Sequence, residues 1–219
     1  MTDFTLVVGS REWSSWSLRP YFAICHTPAA FDVTLIALRT PETAARIRSV
    51  SPSGFVPLLI DRRFATPLKV WDSLAICEYL AECFPQAQLW PADPAARAVA
   101  RSVSAEMHSG FRALRTNLPM DLFAEKPGVG LDAEGVADDI ARIETLWRDC
   151  RTAYGAAGPY LFGAPTIADA MFAPVASRFR TYRPALGEIA AAYVETLLAD
   201  PAFRDWETAA RRESHISQA

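Results

Sequence analysis

The segment GFVPLLIDRRFATPLKVWDSLAI, residues 54–76, contains two short apolar runs followed by the start of a helix. The runs at 56–60 and 68–71 predict two short strands, joined by a connection that contains residues 61–63. From Asp72 to Phe84 the apolar residues recur at helical spacing, so a strand–strand–helix unit is expected here.

The residues before this segment predict two more strands and two helices. Apolar runs at 4–8 and 32–38 predict strands. A helix is expected to begin near Ser14 or Ser15 and to end before Pro28, and a short helix is expected at 41–50. The order βαβαββα favours an α/β domain over residues 1–84, in which the first two strands pair in parallel and the last two form a hairpin.

No strand pattern follows residue 84. Residues 85–94 carry three prolines in ten positions and predict a linker. Residues 95–219 predict an all-α domain, in which Thr166-Ile-Ala-Asp169 matches a capping box at the start of one helix. The other helices are expected at 95–123, 132–154, 185–198 and 201–211.

Composition excludes several classes of protein. With 51% hydrophobic and 21% charged residues, the chain can bury a large core and is not intrinsically disordered. No run approaches the roughly 20 apolar residues that cross a bilayer. The net charge of −3 provides no basic field for nucleic acid. The first residues lack a signal-peptide pattern, so a cytoplasmic protein is expected.

The cysteines and histidines do not form a metal-binding pattern. No C-x-x-C pair is present, so we interpret the cysteines as small buried residues rather than as a disulfide framework or zinc ribbon. The histidines are scattered, and no metal site is expected. The residues concerned are Cys25, Cys77, Cys83, Cys150, His26, His108 and His215.

Three hydroxyls lie where the first strand passes into the first helix, in Trp13-Ser-Ser-Trp-Ser-Leu-Arg19. A hydroxyl at a helix N-terminus lies where free N–H groups and the helix dipole stabilise anions. Ordinary N-capping is the alternative interpretation. The cluster does not match G-x-S-x-G, so hydrolase chemistry is not indicated.

Two further features lie in the opening segment. Pro57 cannot donate a hydrogen bond to a sheet, so it either begins a strand or forms a cis bond that turns the Val56 backbone towards an extended ligand. Asp72 and Ser73 place an acid and a hydroxyl at a helix start. Such a pair can hold a carboxylate and an ammonium group, although a simple helix cap is the alternative.

Taken in order, these features resemble the cytosolic glutathione transferases. In that family a thioredoxin-like domain precedes an all-helical domain, and the resemblance extends from Phe4 to about Arg212. Residues 89–98 look like the family linker, and residues 165–169 look like its capping box.

The resemblance implies glutathione as co-substrate, with no metal. It implies that Val56, held outward by cis-Pro57 and preceded by Phe55, pairs with the cysteinyl part of glutathione. Asp72 and Ser73 match the pair that grips the γ-glutamyl group. The glycine carboxylate needs a cation, for which the candidates are Arg46 and Arg48.

The resemblance also implies a serine that activates the thiol. Ser14-Ser-Trp-Ser17 is similar to the S-S-C-S opening of the zeta class, which makes Ser14 the leading candidate and Ser15 the second. A free thiol has a pKa of about 8.5, and a hydroxyl donor at a helix N-terminus can lower it by about one to two units. Trp16 replaces the cysteine of that motif, and Phe55 replaces a common polar contact. Both departures weigh against the zeta isomerase reaction, and the missing cysteine weighs against cysteine-type activity.

The second substrate is expected between the domains, against the first helix after the linker. Candidate pocket residues are Met107, His108, Phe111, Arg112 and Arg115. The alternative interpretation assigns Met107 and Phe111 to the core and the arginines to solvent or to a dimer interface.

The resulting hypothesis is a cytoplasmic, homodimeric detoxification enzyme that transfers glutathione to alkyl or aryl electrophiles or isomerises them. One alternative is a protein of this fold that acts as an interaction or regulatory module without transferase activity. Another is a glutathione-binding peroxidase or carrier with little conjugating activity. The presence of Ser14, Ser15, Val56, Pro57, Asp72 and Ser73 favours the enzyme.

Overall fold

The computed structural model describes the backbone of residues 2–216 and the side chains of residues 2–213, so the side chain of His215 lies outside the described residues. The first part of the chain forms four strands and three helices in the predicted order βαβαββα. These elements are β1 (Phe4–Gly9), α1 (Ser15–Cys25), β2 (Phe31–Ile36), α2 (Thr43–Val50), β3 (Leu58–Asp61), β4 (Leu68–Trp71) and α3 (Ser73–Cys83).

The four strands form one mixed sheet in the order β2-β1-β3-β4. Every residue of β1 is buried, as its central position requires. β1 pairs in parallel with β2, and β3 pairs antiparallel with both β1 and β4. The predicted parallel pair and hairpin are therefore confirmed, and the sheet with its helices is thioredoxin-like.

The described residues after α3 form helices joined by turns and loops, of which the longest spans residues 118–135, and two isolated bridges. Single 3-10 turns occupy Pro85–Ala87 and Gly155–Ala157. Within residues 2–216, no helix is long and apolar enough to cross a membrane. The longer helices are α4 (Pro94–Ser109), α5 (Arg112–Asn117), α6 (Val136–Tyr154), α7 (Ile167–Tyr182), α8 (Glu188–Ala199) and α9 (Pro201–Ile216).

Helix α7 forms the centre of this helical part and packs against α1, α4 and α8. The predicted capping box at its start is confirmed, because Asp169 accepts hydrogen bonds from the Thr166 main chain at 2.8 Å and from its hydroxyl at 2.9 Å. Asp169 is fully buried and also accepts from the Leu161 main chain and the Tyr193 hydroxyl. These donors satisfy the hydrogen-bonding capacity of the buried Asp169 carboxylate. Burial raises the pKa of this group.

The prediction of one helix over 95–123 is wrong, because the chain breaks after Ser109. Gly110 is extended and Phe111 has a positive φ of 56° before α5 begins at Arg112. A Cβ atom at Gly110 would come within 2.8 Å of the carbonyl oxygen of Glu106. Glycine therefore permits a bend that the apolar periodicity of this region does not reveal.

Candidate functional site

A cavity of about 360 Å³ lies where the start of α1, the loop before β3, the start of α3 and helix α4 meet. It brings together six of the predicted site residues, from both the α/β part and the helical part of the chain. Its walls are formed by Trp16, Ser53, Phe55, Val56, Pro57, Trp71, Asp72, Ser73 and His108.

One wall of the cavity is the loop that ends in Val56 and Pro57. The bond between these two residues is cis, as one of the two interpretations of Pro57 predicted. β3 pairs with β1 from Leu58 onward, so Val56 lies ahead of the hydrogen-bonded ladder. Phe55 is 74% exposed beside it. This wall therefore combines a main-chain segment outside the sheet with an uncovered aromatic ring.

The opposite wall is the N-terminus of α3. Asp72 caps this helix, since its Oδ1 accepts hydrogen bonds from the main-chain N–H groups of Leu74 at 2.9 Å and Ala75 at 3.2 Å. Ser73 is only 1% exposed, and its hydroxyl has no hydrogen-bond partner among the described residues. A buried hydroxyl without a partner is unfavourable, so this helix start is suited to receive a polar ligand group.

His108 reaches the same cavity from α4. Its Nε2 lies 3.2 Å from Oδ2 of Asp72, and its ring contacts the indole of Trp16 edge-on. Burial lowers the pKa of His108, and the charges of Arg19 and Arg115 lower it further against the opposing effect of Asp72. Within the described part of the chain, its buried Nδ1 has no hydrogen-bond partner. The imidazole is thus neutral near pH 7 and adjoins the acid of the site.

The predicted serines lie beside the cavity but do not line it. Ser14 is buried, and its hydroxyl donates to that of Ser17 at 2.7 Å without capping α1. The Ser17 hydroxyl also accepts from the main-chain N–H of Gly9. Ser15 is half-buried, and its hydroxyl accepts from Nη2 of Arg178 at 3.3 Å. The two candidate hydroxyls therefore have different hydrogen-bonding roles.

A group of arginines lies behind Trp16; Arg115 is among the predicted pocket residues, whereas Arg19 is not. The guanidinium carbon of Arg19 lies 4.3 Å from the centre of the Trp16 ring, and that of Arg115 lies 5.4 Å from it. Arg19 is 1% exposed, and its Nε and Nη1 have no partner among the described residues. Burial, followed by the charges of Arg178 and Arg115, lowers the pKa of Arg19 to about 9. The only sequence signal was the spacing of three residues between Trp16 and Arg19 in a helix.

Four other predicted residues lie away from the cavity. Met107 is fully buried and Phe111 is buried nearly as completely, so we assign both to the hydrophobic core rather than to a pocket. Met107 lies on α4, which packs against α7, whereas Phe111 lies in the bend before α5. Arg46 and Arg112 are exposed and do not contribute to the cavity wall.

Comparison with known protein families finds a match in the first part of the chain. Residues 13–83 match the family model described as the glutathione S-transferase N-terminal domain. A curated relative, the probable maleylacetoacetate isomerase of Caenorhabditis elegans, is 29% identical over 177 residues, which cover 77% of each chain.

Solved structures share the fold over almost the whole chain. A glutathione transferase homologue from Burkholderia with bound glutathione is 23% identical, with a TM-score of 0.69 over 95% of this chain and 98% of that one. A glutathione transferase of Phanerochaete chrysosporium, solved with oxidized glutathione, is 15% identical, with a TM-score of 0.72 over 98% of each chain. At these identities the structures establish the common fold.

Proposed function

We propose that this chain, which belongs to the glutathione S-transferase family, binds reduced glutathione in the 360 Å³ cavity and uses its thiol on a small electrophile. The reaction is conjugation to an alkyl or aryl carbon, or isomerisation through a transient thiol adduct. The curated relative named as an isomerase supports keeping the second reaction.

The observation that carries this proposal is the start of α3. The unpartnered Ser73 hydroxyl, at the positive end of the α3 dipole, suits the γ-glutamyl carboxylate. Oδ2 of Asp72, which is not used in the helix cap, suits the γ-glutamyl ammonium group. Val56, ahead of the β3 ladder, can pair with the cysteinyl main chain of the same ligand.

In this proposal a serine of the α1 start, Ser14 or Ser15, activates the thiol. The hydroxyl donates a hydrogen bond to the sulfur anion and does not act as a nucleophile. Each unit by which the thiol pKa falls requires about 1.4 kcal/mol of preferential anion stabilisation. A hydroxyl donor and a helix N-terminus together can supply this amount.

The electrophile would bind against the aromatic wall of the cavity. Trp16, Phe55 and Trp71 all expose part of their rings there, which suits an apolar alkyl or aryl group. Arg48 is the better placed of the two candidates for the glycine carboxylate. Its Cγ lies 4.0 Å from where a Cβ atom of Gly54 would be, next to the loop that carries Phe55.

Calorimetric titration with reduced glutathione tests the proposal, using the parent protein and the variant Asp72→Ala/Ser73→Ala. The parent should bind, and the double variant should lose most of the affinity. Asp93→Ala is a matched control, because Asp93 caps α4 by accepting from Ala96 at 2.7 Å and lies outside the cavity. Absence of binding by the folded parent would refute the proposal and favour the interaction module, which a pull-down would then examine.

We also propose a cytoplasmic homodimer with a role in detoxification. The edge strand β4 and the loop before it expose Leu68 and Phe64, and exposed apolar groups of this kind favour association. Light scattering after size exclusion should give twice the monomer mass for the parent, and Leu68→Glu should reduce it. A monomeric parent at micromolar concentration would contradict the dimer.

A further inference from the structure

Arg178 is a buried cation that connects the helical part of the chain to the start of α1. It lies on α7 and is 3% exposed. Its Nε donates to the carbonyl of Leu118 at 2.8 Å, and its Nη1 donates to the carbonyl of Pro174 at 3.1 Å. These two bonds hold the guanidinium plane, and Nη2 donates to the Ser15 hydroxyl. The side chain is therefore oriented by its own domain and directed at a residue of the other.

The hydrogen bonds distinguish the two candidate serines. The Ser14 proton is donated to Ser17, within a buried pair of hydroxyls. Ser15 instead accepts from a charged donor, so its own proton remains available to a ligand. A hydroxyl that accepts from a cation is polarised and becomes a better donor. Ser15 also occupies the first position of α1, where the helix dipole is positive.

The surroundings of Arg178 add further positive charge. Burial, and then the charge of Arg115, lower the pKa of Arg178 to about 10, so it stays protonated at neutral pH. Arg19 is the second buried guanidinium of this group, and two of its nitrogens lack partners among the described residues. An anion placed at the Ser15 hydroxyl would offset the repulsion among these cations.

We propose that Ser15 is the hydroxyl that stabilises the glutathione thiolate, and that Arg178 is the positioning residue that holds and polarises it. This inference rests on the proposed function. When the thiol ionises, its proton passes to solvent, while Ser15 keeps its own proton and donates a hydrogen bond to the sulfur anion. Arg178 remains protonated throughout and supplies orientation and positive potential.

The test is the pH dependence of the ultraviolet thiolate absorbance of glutathione bound to the protein. Ser15→Ala should raise the pKa of the bound thiol by about one unit, and Ser14→Ala should raise it by less than half as much. Arg178→Lys keeps the charge and shortens the reach, so it should give part of the Ser15→Ala shift. Arg180→Lys, which changes a neighbouring arginine bonded to the Leu122 carbonyl, is the matched control and should leave the pKa unchanged.

A double-mutant cycle separates positioning from a general structural effect. If Arg178 acts through Ser15, then Arg178→Lys should add little further shift in the Ser15→Ala background. A parent that binds glutathione and forms the thiolate, but whose thiol pKa is unaffected by Ser15→Ala, would overturn the inference and leave the proposed function intact. A parent that binds no glutathione would overturn both. If Arg178→Lys does not fold, a larger shift for Ser14→Ala than for Ser15→Ala still overturns the inference.

Discussion

The Nε2 atom of His108, on α4, lies 3.2 Å from Oδ2 of Asp72, the residue that caps α3. This contact joins the helical part of the chain to the proposed γ-glutamyl site. The imidazole contacts Oδ2, the Asp72 oxygen that accepts no hydrogen bond from the helix cap. The charge of the imidazole therefore determines how much of the Asp72 charge is available to a ligand.

We expect the affinity for glutathione to fall below pH 6.5. Burial and the charges of Arg19 and Arg115 lower the pKa of His108, because together they outweigh the opposing effect of the Asp72 charge. The ring is therefore neutral above its ordinary pKa of 6.5. Below its pKa the imidazolium pairs with Asp72 and competes with the γ-glutamyl ammonium group. Calorimetric titration with S-methylglutathione, whose sulfur does not titrate, from pH 5 to pH 8 should show level affinity above neutrality and a decline towards acid pH.

The variant His108→Gln should abolish that acid decline, since glutamine does not titrate. His26→Gln is the matched control, because His26 pairs with Asp200 away from the cavity and should leave the pH profile unchanged. An equal acid decline in the parent and in His108→Gln would contradict the role of His108.

Met107→Ala should destabilise the fold by about 3 kcal/mol, because it empties a fully buried position of the core. Denaturant unfolding followed by circular dichroism measures this loss. Val99→Ala, at a partly buried position of the same helix, should cost about 1 kcal/mol. If Met107→Ala kept the parental stability but changed the preference among electrophiles, Met107 would be a residue of the substrate pocket and not of the core.

Asp61→Asn should destabilise the fold by about 2 kcal/mol at pH 7. Burial alone raises the pKa of Asp61, but hydrogen bonds from Arg63 and Tyr79 outweigh it and bring the pKa to about 2. A depressed acid pKa stabilises the fold above the unfolded value of 3.8, and this stabilisation is lost as pH falls towards 2. The difference between parent and variant should therefore shrink between pH 5 and pH 2, whereas exposed Glu195→Gln should show little difference at any pH.

Gly110→Ala should destabilise the fold by about 1–3 kcal/mol, because the added Cβ would meet the carbonyl oxygen of Glu106. Gly187→Ala is the matched control, since the nearest atom to its Cβ lies at an ordinary 3.6 Å and its φ is −67°. Thermal unfolding of both variants compares them directly. Equal melting temperatures would show that the bend between α4 and α5 tolerates a side chain.

Several features of the fold could be predicted from short stretches of the chain. The apolar run of β1, the hairpin of β3 and β4, and the capping box of Thr166 and Asp169 all depend on residues close together in the chain. The cis bond at Val56–Pro57 was one of two predicted possibilities, because only before proline does the cis isomer cost little more energy than the trans isomer. Local backbone preferences and periodicity carry this information.

The bend at Gly110 and the composition of the site could not be predicted in the same way. The apolar periodicity of α4 continues across Gly110, so the sequence is equally consistent with a single helix. The bend is defined only in the folded structure, where Phe111 packs in the core. Trp16 occupies the position at which the family resemblance predicts a cysteine. Its contacts with Arg19 and Arg115 are defined only by the tertiary structure.

Side-chain periodicity, helix caps and the restricted backbone of proline act over short stretches of sequence. They determined the order of the helices and strands, and they marked Val56-Pro57 and Asp72-Ser73 as candidate site residues. Folding then decided which groups meet. Ser15 and Arg178 are 163 positions apart, and Asp72 and His108 lie on opposite sides of the predicted linker. Their contacts arise because α1 packs against α7 and α3 against α4, and no local pattern encodes which side chains such packing brings within hydrogen-bond distance.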